Sequence, residues 1–584
     1  MNPKTEISTT DLQGKATLMD SLCDLNDFDG ILKLCDDLDK YTHASSFYRL
    51  HIYYTIGSGY SHVSARRDKS FDSKSSGLSL LNFRKALAEV KTFARDSFPS
   101  VPSDEMMAAF YDMRSRLLTN LANELDHQGR RLEALAYYDD AISSGNVNAV
   151  LGKASCIYKL AESVYDGDHA YYLYRESAKF YRETFSRIDE FHPTQKQHIL
   201  SNPFYNHFLK WFEDQELQHS DDFPDINSIQ VPASKSKKEN DYLKWCAKNR
   251  LFINDLNGIS TSDVVNHDVL ELPSFSARIN PLLTNPEELS FHGHFDELKT
   301  DYCYARYLAF SASSMPLFDE HFFNATFQHV DTLDYEINNL KTNHLKSCFR
   351  ISYSIFDKIS FFLHRFFELD AIQNDPKVDF KQVWFKPQNN KNKKKELKGS
   401  FESSRNSYFR ALYFISHEIR QSGGPKASPT DDPSYWFDPD TERMFKIRNA
   451  MEHRAFKLVD AIGTSRLQQR DIEVAQHEND LLRIQKEIAD LERHLQTAPS
   501  NAAELAVALD KLKVRELTLR KDLDEKERLS TYFLTLGVEE FESLTMKLLT
   551  LAKDALVYLS LAVHHEESMR PQTALTIPSV VPKK

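Results

Sequence analysis

Glycine is scarce in this chain. Only 16 of its 584 residues are glycine, well under half the usual share of about 7%. That argues against glycine-rich phosphate loops and closely spaced tight turns. No G-x-x-x-x-G-K-[ST] occurs, since Gly423-Gly424-Pro425-Lys426 lacks both the spacing and the hydroxyl, and no G-x-S-x-G is present. The six cysteines (Cys23, Cys35, Cys156, Cys246, Cys303, Cys348) form no C-x-x-C pair. That excludes a disulfide scaffold and fits a reduced, cytoplasmic chain. No apolar run is long enough to span a bilayer, and Met1-Asn2-Pro3-Lys4-Thr5-Glu6 is not a basic-then-apolar leader, so no membrane partner is expected. An excess of positive charge is also lacking. With 73 basic and 85 acidic side chains the net charge is −12. The whole chain does not attract polyanions, and any nucleic-acid contact requires a local basic patch.

Aromatics are plentiful (39 Phe, 26 Tyr), and apolar residues recur mostly at helical spacing, so the expected fold class is all-α. Residues 1–190 are expected to be a helical repeat region, with Ser64–Ser79 as a polar loop. Leu118, Leu121, Ala122, Leu125, Ala134, Tyr138 and Ala141 reproduce the offsets of a 34-residue tetratricopeptide unit. Small Ala122 and Ala134 let two helices approach, and Gly129-Arg130 is the turn between them. A second unit is expected over Ala154–Thr184, with an insertion near Asp166-Gly167-Asp168. Residues 191–327 are broken by prolines and are read as an irregular helical linker. The stretch Lys244–Asn254 within it mixes basic and aromatic residues densely. Helices are then expected near 328–372 and 403–419 and from Asp440 to about Ile462, within a first bundle segment at 328–465. In 466–530, Leu481, Ile484, Ile488, Leu491 and Leu495 step as an a/d seam. Leu505, Leu509, Leu512, Leu519 and Leu523 continue it after Pro499. An antiparallel coiled-coil hairpin is expected, with an intermolecular parallel coil as the alternative. A closing helix at 531–568 and a frayed tail at 569–584 complete the chain.

The segment with chemical potential is Ile447-Arg448-Asn449-Ala450-Met451-Glu452-His453-Arg454. On a helix, Asn449 and His453 lie one turn apart on one face. The apolar stripe Met444, Ile447, Met451, Ala455, Leu458 and Ile462 leaves His453 almost opposite the core. The plain alternative is an Arg448–Glu452 ion pair with a solvated histidine. His292-Gly293-His294 with Asp296 is too slight for a metal site, and no metal or other cofactor is expected.

The R-N-x-x-x-H pattern on a bundle helix resembles the HEPN superfamily. Phe349–Leu363, Arg410-Ala411-Leu412-Tyr413 and Leu551–Ala562 are similar to successive helices of a bacterial HEPN family that carries tetratricopeptide-like repeats. The resemblance implies a four-helix bundle, with the coiled coil as an insertion, and a metal-independent endoribonuclease acting as a homodimer. Arg448, Asn449 and His453 would be catalytic, with Asp357 on the first long helix in support. The basic residues Lys391, Lys393, Lys394, Lys395 and Lys398 would guide RNA, the alternative being a solvated loop. The repeats would meet a protein partner or trigger, by analogy with toxin–antitoxin or antiviral effectors. A non-catalytic HEPN module that binds nucleotides or proteins is the competing reading.

Overall fold

The computed structural model describes residues 4–66, 72–96, 103–219, 222–229, 234–260, 262–275, 282, 284, 287, 289–318, 320–325, 335–367, 378–380, 382–386, 396–419, 440–497, 502–530 and 532–570. These residues form 20 α-helices, several single 3-10 turns and two small sheets. They divide into two compact units. The first holds 1–307, 351–442 and 549–584, and the second holds 308–350 and 443–548.

In the first unit the chain begins as a succession of helices. Helices Asp104–His127, Arg131–Ser143, Val147–Ala161 and Gly167–Ser186 each pack on the next. Leu118, Leu121, Ala122, Leu125, Ala134, Tyr138 and Ala141 are all buried, so the seam has the composition that the spacing anticipates. Gly129 carries a φ of +83°, and a Cβ there would lie 2.1 Å from the Ser407 carbonyl oxygen. Only glycine admits that approach. Asp166 is the N-cap of Gly167–Ser186, accepting from the backbone N–H groups of Asp168 and His169. One expectation fails here. Much of the expected loop Ser64–Ser79 is helical, since helix Ser46–Arg66 runs through Ser64 and a new helix starts at Ser73. Its serines are absorbed by buried bonds: Ser79 Oγ donates to Gly57 O at 3.0 Å, and Ser76 Oγ to Glu124.

The same unit joins these helices to helix Ser407–Ile419. Glu418 is fully buried and accepts from both Arg84 and Arg130, while Glu133 takes the second nitrogen of Arg84 at 2.9 Å. Arg131 lies over the Tyr408 ring, 4.9 Å from its centroid, and the Leu132 N–H donates to the Tyr558 hydroxyl at 3.2 Å. The Lys244–Asn254 stretch wraps one buried arginine: Arg306 donates to both carboxylate oxygens of Asp268 (2.7 and 2.6 Å) and to Leu251 O (3.0 Å). It also lies 5.1 Å from the Phe252 ring centroid. The basic-aromatic density thus has a packing role.

The second unit departs from the all-α expectation. Strand Ala455–Val459 pairs in parallel with Phe533–Gly537, in register from Ala455 opposite Phe533 to Val459 opposite Gly537. Glu336 bridges Val459 from the other side, antiparallel. Parallel neighbours require a long crossover. Here it consists of helices Ala461–Thr497 and Ala502–Ser530, which pack on each other through buried Ile484 and Ile488. Their cross-pairs run in opposite senses, Lys513 with Glu492 (2.8 Å) and Gln485 with Glu516 (3.2 Å).

Two outcomes follow for the first unit. Glu418→Ala would leave the buried Arg84 and Arg130 to share Glu133 alone, with an expected loss of about 3–5 kcal/mol in urea unfolding. Burial alone would raise the Asp268 pKa, but the hydrogen bonds and charge of Arg306 outweigh it and hold the carboxyl below its ordinary value. The stability this gives is present above the unfolded carboxyl pKa, about 4, and is lost as pH falls through the lower folded value. Acid unfolding curves below about pH 4 should therefore be shallower for Asp268→Asn than for the natural chain.

Candidate functional site

The site helix is Thr441–His453. Met444, Ile447, Ala450 and Met451 are its buried face, and Glu452, His453 and Arg454 are exposed. The expected continuation to Ile462 does not occur. The helix stops at His453, and Ala455–Val459 is a strand because its backbone groups are taken by Phe533–Gly537 and by Ile337, whose N–H donates to Leu458 O at 2.7 Å. Ala455, Leu458 and Ile462 are thus not part of a helical stripe, and Ile462 is 58% exposed. His453 nevertheless faces away from the core, as the residue spacing implies.

Arg448 and Asn449 are half-buried, and Arg448 Nη1 donates to Asn449 Oδ1 at 3.3 Å. Glu452, which an i,i+4 reading assigns to Arg448, pairs with Arg350 at 3.4 Å. Arg350 also donates through Nη2 to Met451 O at 2.8 Å. One turn before Arg350 on helix Leu340–Phe366, Lys346 Nζ donates to Phe456 O at 3.5 Å and lies 5.7 Å from the Phe456 ring centroid. Burial pushes the Lys346 ammonium pKa down. Glu336 opposes that shift, and the charge of Arg350 adds to it. Arg350, Arg448, Arg454, Lys346 and Lys457 thus gather in the unit that presents His453, with Glu452 and Glu336 as counter-charges. Histidine is a residue type suited to acid–base work on a phosphodiester, and arginine and lysine to meeting its charge. Lys346 and Arg350 were not singled out by their residue types. Their signal is two cations four apart on one helix, legible as a pair only once the strand is known.

Asp357 belongs to the first unit, where it lines a hollow of about 900 Å³ with His294, Lys358, Phe361 and Arg365. Its neighbour Lys358 is paired with Glu297 and Asp301. Lys391, Lys393, Lys394 and Lys395 lie outside the described residues. Lys398 is buried, and its backbone N–H donates to Trp384 O at 3.0 Å. Its side chain is therefore not on a surface that RNA can touch. No group of three His, Cys, Asp or Glu among the described residues is placed to hold a metal. His292 stacks on Phe275, and His294 packs against Phe361 and Phe362. No helix among the described residues is long and apolar enough to cross a membrane.

The family model described as LA2681-like HEPN matches residues 283–486. The match begins inside the stretch expected to be linker, just ahead of helix Ser290–Ser313, and ends within helix Ala461–Thr497. No curated protein and no solved structure matches the chain.

Proposed function

Because this chain carries an LA2681-like HEPN domain and so belongs to the HEPN superfamily, we propose that it is an endoribonuclease that needs no metal. The observation that supports this most is His453, exposed at the end of its helix, with Asn449 one turn away and Arg448 bonded to Asn449. RNA supplies its own nucleophile. The 2′-oxygen attacks phosphorus, its proton passes to a base, and the P–O5′ bond breaks as an acid protonates the departing 5′-oxygen. The products are a 2′,3′-cyclic phosphate and a 5′-hydroxyl. His453 serves as base or acid, and the same residue of a second copy takes the complementary role across a homodimer. Arg448 offers planar donors to the crowded phosphorane, and Asn449 holds the phosphate or the imidazole. In this reading the helical pair 461–530 is a coiled-coil insertion in the bundle, and 1–190 are tetratricopeptide-like repeats. A polar groove of about 1040 Å³ along them, lined by Tyr54, Asn120, Asn123, Asn148 and Lys159, supports their use for a protein partner or trigger. A role in toxin–antitoxin or antiviral defence rests on analogy with such architectures.

Purified protein in EDTA should cut RNA to cyclic-phosphate ends. His453→Ala should lower the rate by about 100-fold or more, and Arg448→Ala should also slow it. Equal cleavage by the natural chain and His453→Ala, or cleavage that stops in EDTA, would overturn the assignment.

A further inference from the structure

His453 stands at the point where the site helix gives way to a strand. The last four carbonyls of a helix have no partner within it. Among them, Ala450 O accepts the Arg454 N–H at 2.9 Å, and Met451 O accepts the Arg350 guanidinium at 2.8 Å. The same guanidinium holds the carboxylate of Glu452, the residue next to His453, at 3.4 Å. Beyond the histidine, Lys346 holds Phe456 O, and Ala455 N donates to Tyr532 O at 3.3 Å. The chain is thus pinned on both sides of His453, two residues before it by Arg350 and three after it by Lys346.

We propose that Arg350 is a positioning residue of this site: its fork fixes the final turn of the site helix and thereby sets the direction of the His453 imidazole. Its effect on rate rests on the ribonuclease reading; the clamp itself does not. An arginine suits the task because one planar group serves a carbonyl and a carboxylate together, which a lysine ammonium on a flexible stem does less well. Acid–base transfer is sensitive to such placement, since an error of about 1 Å costs roughly 100-fold.

The test uses the full chain with Arg350→Ala and Arg350→Lys. Amide hydrogen exchange across residues 450–456 is read beside exchange in 461–530, which reports overall folding. Cleavage kinetics are measured on an RNA that the natural chain cuts, and binding on the same RNA with a 2′-deoxy residue at the cut site. In both variants, faster exchange confined to 450–456 is expected. So is a kcat fall of about tenfold or more, with KM and binding of the uncut analogue changed less than about threefold. A weakened affinity in Arg350→Ala that Arg350→Lys restores would show a charge contact with RNA and overturn the positioning role. Unchanged exchange at 450–456 would overturn the clamp. If the natural chain does not cut RNA, the ribonuclease reading fails by that result, and the exchange data still decide the clamp.

Discussion

Glu418 and the arginines around it tie the N-terminal helices to helix Ser407–Ile419. A carboxylate with no exposed surface is costly unless its charge is met, and here Arg84 and Arg130, both from the N-terminal helices, meet it. The arrangement is mutual, because Arg130 is as fully buried as Glu418. Separating the N-terminal helices from helix Ser407–Ile419 would therefore orphan Glu418 and leave Arg84 and Arg130 with Glu133 alone. Gly129 pressed against Ser407 and the Leu132–Tyr558 bond add steric and directional terms at the same seam. Residues 1–307 accordingly share one compact unit with 351–442 and 549–584. A partner bound along the N-terminal helices would act on helices that share a core with Ser407–Ile419, not on a tethered module. A buried charge network also tolerates few alternative packings, since each wrong register leaves an unpaired ion.

The second unit solves a different problem. A histidine on a frayed helix end would sample many positions. Here the chain passes directly from His453 into a strand, and that strand is bonded on both edges, by Phe533–Gly537 and by Glu336 and Ile337. The long helical pair that follows closes the crossover that parallel strands demand. It thus has a local role at its base, whatever its outer surface meets, because the strands that end the site helix are the two ends of the pair.

Much of the helical pattern was legible from spacing. The buried seam from Leu118 to Ala141, the turn at Gly129, the outward-facing His453 and the seam at Ile484 and Ile488 all follow from a 3.6-residue period and small residues at close approaches. The misses have physical causes. In Ala455–Val459, apolar Ala455 and Leu458 fit a helical stripe as well as a strand, and only hydrogen bonds to residues almost eighty positions away decide between them. Ser75, Ser76 and Ser79 read as polar loop residues but are buried, because a hydroxyl can bond within a helical packing. Lys398 counted as part of a charge run although its backbone places it in the core. Arg350 carries no sequence signal of its own, because its partners are a carbonyl and a carboxylate brought close by the fold.

The charge distribution connects these points. A chain with a net charge of −12 repels polyanions at long range, so the proposed ribonuclease reading requires a small region where cations outnumber acids. In the unit that holds His453, the candidates are Arg350, Arg448, Arg454, Lys346 and Lys457, drawn from the helix Leu340–Phe366, the site helix and the strand. Arg350, Lys346 and Lys457 are also engaged in backbone or carboxylate contacts that shape the histidine's surroundings. The same cations therefore order the site and set its potential, and neutralising one of them changes geometry and field together. A binding loss measured for such a variant cannot be assigned to charge until the lysine-for-arginine exchange has separated the two, because that exchange keeps the field and removes the fork.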